Sequence, residues 1–161
     1  MSKERLKITV NGIYYEMDVD PRLTLAEFIR NEIGLTGTKE SCNSGICGAC
    51  TVLVDGKPVK SCLVLALGAM NKEVLTIEGL RNGDALHPLQ KAFLDHGAVQ
   101  CGFCTPGMIL SAKALLDENP NPSEEEVRYG LVGNLCRCGG YVKIVNAILD
   151  YAEKRRKTIG T

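Results

Sequence analysis

The chain has no tryptophan, and only three phenylalanines and five tyrosines stand among its 161 residues. A core built with so few rings is aliphatic and thin. Units of about 70 to 80 residues with such cores commonly need staples or metal. Charge of one sign is missing too, since 19 basic and 19 acidic side chains cancel to a net charge of zero. That is not the electrostatic footprint of a nucleic-acid binder, so no such partner is expected. The longest apolar run, "LVLALGAM" at 63–70, falls far short of the ~20 residues that span a bilayer. The opening "MSKERLKITV" is charged and leads into no apolar h-region, which sets the expectation of a cytoplasmic chain without a membrane span. There is no G-x-x-x-x-G-K-[ST] loop and no G-x-G-x-x-G after a strand, which speaks against nucleotide binding. The only two histidines, His87 and His96, sit beside Pro88 and Gly97 at predicted helix ends. Capping or surface roles suit them better than catalysis. No carboxylate pair has an evident acid–base setting, and no internal repeat is visible.

What the chain does have divides into two halves. In the first, "LKITV" (6–10) and "IYYEMDV" (13–19) flank Asn11-Gly12, a dipeptide suited to a type I′ turn because both central residues need positive φ. "TLAEFIRNEIG" (24–34) carries apolar residues at helical spacing and ends on Gly34. A glycine-rich loop follows. "TVLV", Asp55-Gly56 and "KPVKSC" (57–62) read as a second hairpin, and "EVLTIEGL" (73–80) as a last strand. The sum is a small mixed sheet with a helix across it. Polar "RNGDALHP" (81–88) marks the boundary, giving units at 1–80 and 85–161. The second half predicts four short helices, at 88–97, 105–119, 123–133 and 141–157. Thr105 is the expected N-cap of the second, with Pro106 at its first position, and Ser123 with Glu126 forms the capping box of the third. Four such helices suggest an antiparallel bundle. The basic "EKRRK" (153–157) reads as a solvated helix end.

The unusual chemistry lies in eight cysteines. Cys42, Cys47, Cys50 and Cys62 are spaced C-x4-C-x2-C-x11-C, the plant-type 2Fe–2S pattern. A loop that wraps a cluster with three thiolates pointing inward needs positive-φ turns, hence Gly45 and Gly48. Cys101, Cys104, Cys136 and Cys138 form a second set, C-x2-C-x31-C-x-C. Each of its pairs precedes a predicted helix. A cluster held by four thiolates is formally about −2 when oxidised, and helix N-termini offer partial positive charge to an anion. Disulfides are the alternative for a secreted chain. Zinc is another, but zinc modules usually pair C-x2-C with C-x2-C, which the x4-x2-x11 set does not match. With two clusters and no evident substrate pocket, the chain reads as an electron wire.

At "CNSGICGACTVLVDGKPVKSC", "QCGFCTPGMI" and "NLCRCGGY" the sequence resembles the small iron–sulfur subunit of molybdenum hydroxylases. That group includes xanthine dehydrogenase, aldehyde oxidoreductase and aerobic carbon monoxide dehydrogenase. The likeness runs over roughly residues 6–150. It implies an α+β architecture, with an N-terminal β-grasp, ferredoxin-like domain and a C-terminal four-helix-bundle domain, each holding a 2Fe–2S cluster. It implies a large partner with molybdopterin and molybdenum, a medium partner with FAD, and a dimer of heterotrimers. Electrons would pass from molybdenum to the C-terminal cluster, to the N-terminal cluster and on to flavin. Gln100 and Cys138 would contact the pterin. A free two-cluster ferredoxin-type carrier is the alternative, against which zero net charge argues mildly. Two positions depart from the family. Ser41 stands where glycine is usual, and would be strained if that position needs positive φ. Gly139 stands where threonine is usual, removing a hydroxyl from a cap or a partner contact. "SCLVLA" and "GAVQCGFCTPGMI" look most like xanthine dehydrogenase-type subunits.

Overall fold

In the computed structural model, which describes residues 2–81 and 83–159, β1 (Glu4–Val10) and β2 (Ile13–Val19) pair antiparallel from Glu4↔Val19 to Val10↔Ile13. The turn residues Asn11 and Gly12 take φ of 52° and 76°, as a type I′ turn requires. Asp55 and Gly56, at 49° and 79°, join β3 (Thr51–Val54) to β4 (Lys57–Lys60) in the same way. β5 (Glu73–Leu75) lies parallel to β1 and antiparallel to β3, so the mixed sheet runs β2-β1-β5-β3-β4. This strand is shorter than the 73–80 expected. Asn11 explains why: its side chain accepts from Thr76 N and donates to Thr76 Oγ1, both at 2.9 Å. Those bonds replace ladder partners and turn the chain into a 3₁₀ turn at Ile77–Leu80.

The helix expected over 24–34 is also modified. A capping box opens it, with Glu27 N donating to Thr24 Oγ1 at 3.2 Å and Thr24 N to the Glu27 carboxylate at 2.9 Å. After one α turn, α1 (Leu25–Glu27), the chain widens to a π turn at Phe28–Glu32. The widened turn keeps Leu25, Ala26, Phe28 and Ile29 all fully buried. Leu25, Phe28 and Ile29 pack on the alternating inward residues Leu6, Ile8 and Val10 of β1.

Four helices make the second half: α2 (Pro88–Asp95), α3 (Thr105–Glu118), α4 (Glu124–Gly130) and α5 (Tyr141–Ile159). Ser123 and Glu126 form the expected capping box on α4. The N-cap of α3 is Cys104 rather than Thr105 and makes no side-chain cap bond. The Thr105 amide already reaches Gly102 O at 3.3 Å, so Thr105 lies inside the turn. α3 is buried at Met108, Ile109, Leu110 and Ala112 because it lies between its neighbouring helices and β3. Strand β3 is therefore covered on both faces. Val52 joins the sheet core, and Leu53 joins Phe93, Met108 and Ile144 in the helical core. Met1, Asn82 within the expected boundary, and residues 160–161 at the end of the expected second unit lie outside the described residues.

Candidate metal centres

The first cysteine set is assembled by one loop and one hairpin. Cys50 leads into β3, and Cys62 sits in the 3₁₀ turn Ser61–Leu63 that follows β4. Ser61 fastens the two ends, its hydroxyl donating to Cys50 O at 2.6 Å. Both thiols are buried and share a small cluster with Ala26 of α1. Cys42 is exposed and Cys47 half-buried. Positive φ at Asn43 (47°), Gly45 (76°) and Gly48 (69°) bends the intervening loop. A Cβ on Gly45 would lie 2.3 Å from Leu63 Cδ1, which shows how closely the loop rests on the turn bearing Cys62. Ser41 is outside the left-handed region, so the strain feared for it is absent; the turn falls on Asn43 instead.

Loop donors already aim at sulfur. Ser44 N and Cys47 N donate to Cys42 Sγ at 3.5 and 3.4 Å. Hydrogen bonds from Ser44 and Cys47 bring the Cys42 thiol down to about 5. Burial first, and then the neighbouring Cys50, push Cys62 up to about 11.

The second set is split between two helix entrances. Cys101 and Cys104 flank Gly102 (φ 81°) before α3, while Cys136 and Cys138 occupy the turn before α5, which leaves through Gly139 (φ 73°). Space beyond Gly139 is open, so glycine there relaxes a left-handed turn and fills no packing role. Gly140 N donates to Cys136 Sγ at 3.4 Å, and Cys136 N donates to Tyr141 OH at 2.8 Å. Gln100 Nε2 donates to the Cys138 carbonyl at 3.3 Å; both residues are exposed. Burial, then Cys136, push Cys104 up to about 12. Burial raises Cys136 as well, but the amide of Gly140 and the thiol of Cys104 outweigh it and lower its pKa.

The two sets meet. A cavity of roughly 390 Å³ is lined by Cys47 and Ala49 on one side and by Cys101, Cys104 and Cys136 on the other. Leu135 N donates to Cys47 O at 2.8 Å, so one hydrogen bond joins a cysteine of the first set to the residue beside Cys136. Close backbone contact makes this possible. A Cβ on Gly48 would fall 2.2 Å from Gly133 O, and one on Gly107 would fall 2.3 Å from Gly48 O. Asn134, buried beneath, ties the two loops together: its Nδ2 donates to Gly48 O at 3.2 Å, and its Oδ1 accepts from Ser111 Oγ at 3.0 Å and Lys60 Nζ at 3.2 Å. The sequence reading missed Asn134, Lys60 and the Gly48–Gly107 approach. The only signal was a polar residue amid "VGNLC", which looks like any glycine turn.

All eight cysteines stand as free thiols. Among the described residues no three His, Cys, Asp or Glu side chains gather tightly enough to hold a single metal ion. Structural zinc wants four ligands about one ion. A binuclear cluster divides four cysteines between two irons and asks for less convergence. All-thiol donor sets, loop amides on sulfur and small residues at the approaches fit that group. The histidines are elsewhere: His87 caps α2 through Nδ1 to Leu89 N at 3.1 Å, and His96 Nε2 meets Asp150 Oδ2 at 3.1 Å.

Comparison with known proteins agrees. Residues 8–76 match the 2Fe-2S iron-sulfur cluster binding domain family, and residues 76–149 match the [2Fe-2S] binding domain family. The nicotinate dehydrogenase small FeS subunit of Eubacterium barkeri is 46% identical over 155 residues, covering 96% of this chain and 98% of that one. The xanthine dehydrogenase iron-sulfur-binding subunit of Escherichia coli O157:H7 is 47% identical over 150 residues, covering 90% and 92%. In the crystal structure of quinoline 2-oxidoreductase from Pseudomonas putida 86, a chain 48% identical superposes with a TM-score of 0.93 over 98% of both. Among the described residues no helix is long and apolar enough to cross a membrane. Sequence motifs, fold and relatives converge: the chain belongs to the small 2Fe–2S iron–sulfur subunits of the molybdenum hydroxylases.

Proposed function

We propose that this chain carries electrons within a molybdenum hydroxylase, between a molybdopterin-bearing large subunit and an FAD-bearing medium subunit, in a cytoplasmic dimer of heterotrimers. Cys42, Cys47, Cys50 and Cys62 hold the first cluster; Cys101, Cys104, Cys136 and Cys138 hold the second. The two units divide at 81–88, one centre in each. When bound, such clusters supply one-electron chemistry at a potential set by nearby hydrogen bonds, charge and exposure. The chain's residues do the rest. Amides of Ser44, Cys47 and Gly140 donate to ligand sulfur. The start of α5 presents unpaired N–H groups to an anionic site. Gln100 steadies the Cys138 carbonyl, and these two exposed residues form the contact to the pterin.

The observation that carries this reading is the Leu135–Cys47 hydrogen bond beside the shared cavity, which gives two redox sites a short covalent and hydrogen-bonded route. Relatives named for nicotinate, xanthine and quinoline match at 46%, 47% and 48% identity. Relatives named for different substrates thus match this chain about equally well, which supports placing substrate choice on the large subunit. A free carrier is the other reading, but Ile46, Leu63, Phe103, Leu135 and Val142 are exposed next to or near the cysteines. Apolar surface there fits permanent cover by partner chains.

Isolation of the native assembly tests this. About four irons with matching acid-labile sulfide per chain, two distinct EPR signals and co-eluting molybdenum are expected. Zinc without iron, or a monomer that keeps both clusters, would overturn it.

A further inference from the structure

The relay leaves one internal cation without a task. Lys60 ends β4, and its ammonium is half-buried where sheet and helices meet. Its Nζ donates to Thr51 Oγ1 at 3.1 Å and to Asn134 Oδ1 at 3.2 Å. Both acceptors are neutral, and no carboxylate pairs with Lys60 among the described residues. The neighbouring acidic groups whose charge acts on it are the thiols of Cys50, Cys47 and Cys62. Asn134, only 5% exposed, is pinned by Ser111 and Gly48 and so holds the ammonium in one place.

A half-buried cation without a carboxylate is costly unless negative charge lies close by. A cluster on four thiolates provides about −2 when oxidised, and one unit more when reduced. A fixed cation therefore favours the reduced form. Among the described residues the second set shows no equivalent: Arg137, which lines the shared cavity, is exposed and screened by solvent. We propose that Lys60, clamped by Asn134 and Thr51, raises the reduction potential of the N-terminal centre above that of the C-terminal one and so gives electron flow its direction. This rests on the ligand assignment proposed above. One electron leaves the C-terminal site as one arrives at the N-terminal site, so no further reactant is needed.

The experiment is an EPR-monitored redox titration of the native complex and of complexes carrying K60M or K60R. The N-terminal signal is assigned as the one that Cys50→Ser removes. Wild type comes first: failure to show two 2Fe–2S signals ends the ligand assignment, independently of Lys60. With both present, K60M is expected to move electron partition about tenfold away from the N-terminal centre, about 59 mV for a one-electron couple. The C-terminal midpoint stays in place, and K60R keeps native values. An unmoved N-terminal midpoint in K60M, or equal shifts at both centres, overturns the inference. Should K60M lose the N-terminal centre, K60R decides: retention at the native midpoint supports the charge requirement, and loss in K60R too refutes it.

Discussion

The two cysteine sets solve one problem in opposite ways. The first is local, because the β3–β4 hairpin delivers Cys50 and Cys62 together and a single glycine-turned loop adds Cys42 and Cys47. The second depends on tertiary packing, since 31 residues separate Cys104 from Cys136 and only the packing of α3, α4 and α5 closes the gap. Loop length is not the deciding difference. Closing 31 residues rather than 11 costs only about 1 kcal/mol more. What differs is how much of the protein must already be folded before the thiols face each other.

Cysteine replacements test that contrast most severely. Cys47→Ser is expected to abolish the N-terminal EPR signal, leave the C-terminal one and slow electron exit. Cys104→Ser is expected to abolish the C-terminal signal and to lower the thermal midpoint more than Cys47→Ser does, because ligation there also supplies folding energy to the helices. EPR with differential scanning calorimetry reads both effects. Equal melting shifts would show that the second site is as self-contained as the first.

Leu53 comes next. It is 2% exposed and belongs to the helical core although it lies on a strand. Leu53→Ala is expected to cost about 3 kcal/mol and to perturb the C-terminal signal more than the N-terminal one. Val52→Ala, on the opposite face of the same strand, should do the reverse. Denaturant unfolding and EPR would show whether the two faces of β3 divide in this way.

Smaller is the contrast between two glycines, both left-handed. Gly48 has φ of 69° and no room, with Gly133 O 2.2 Å from an added Cβ; Gly139 has φ of 73° and open space. Gly139→Ala should cost only the backbone conformation, about 1 kcal/mol. Gly48→Ala should cost more and alter both EPR signals, since the collision lies between the two loops. A Gly48→Ala protein with native spectra would show that the approach is dispensable.

Legibility follows the same division. Asn11-Gly12, Asp55-Gly56, the Ser123 box and the short spacings within each cysteine motif act through neighbours in sequence, so local chemistry is enough to read them; the approach of Cys104 to Cys136 does not. The early end of β5 was not legible, because Asn11 captures Thr76 from 65 residues away. Nor was the π turn after Glu27, where burying both Phe28 and Ile29 overrides regular helical bonding. The family pattern of glycine before Cys42 suggested strain at Ser41, yet the backbone turns two residues later, at Asn43. Lys60 and Asn134 were hidden for a plain reason. A strand-end lysine and a turn asparagine acquire meaning only when the fold brings together positions 74 apart in sequence.

The mildest comparison sets one capping box against another, one in each half. Glu27 accepts from Thr24 N, then from its hydroxyl, and its pKa falls below 4.5. Glu126 accepts from Ser123 in the same order, with the same direction from 4.5. A carboxylate depressed in the folded state contributes stability that is present above its unfolded value and lost as pH falls through the folded one. Both caps should therefore weaken below about pH 4.5. The Thr24 box is half-buried and closes the helix under the first site, whereas the Ser123 box is exposed. Thr24→Ala should cost about 1 kcal/mol, Ser123→Ala less. Each should reduce the acid dependence of amide exchange in its own segment, residues 25–32 or 124–130, as pH falls below about 4.5. If Ser123→Ala opened the helices near Cys136 as much as Thr24→Ala loosens the sheet's helix, α4 would be a structural support of the second site rather than a spacer between its two cysteine pairs.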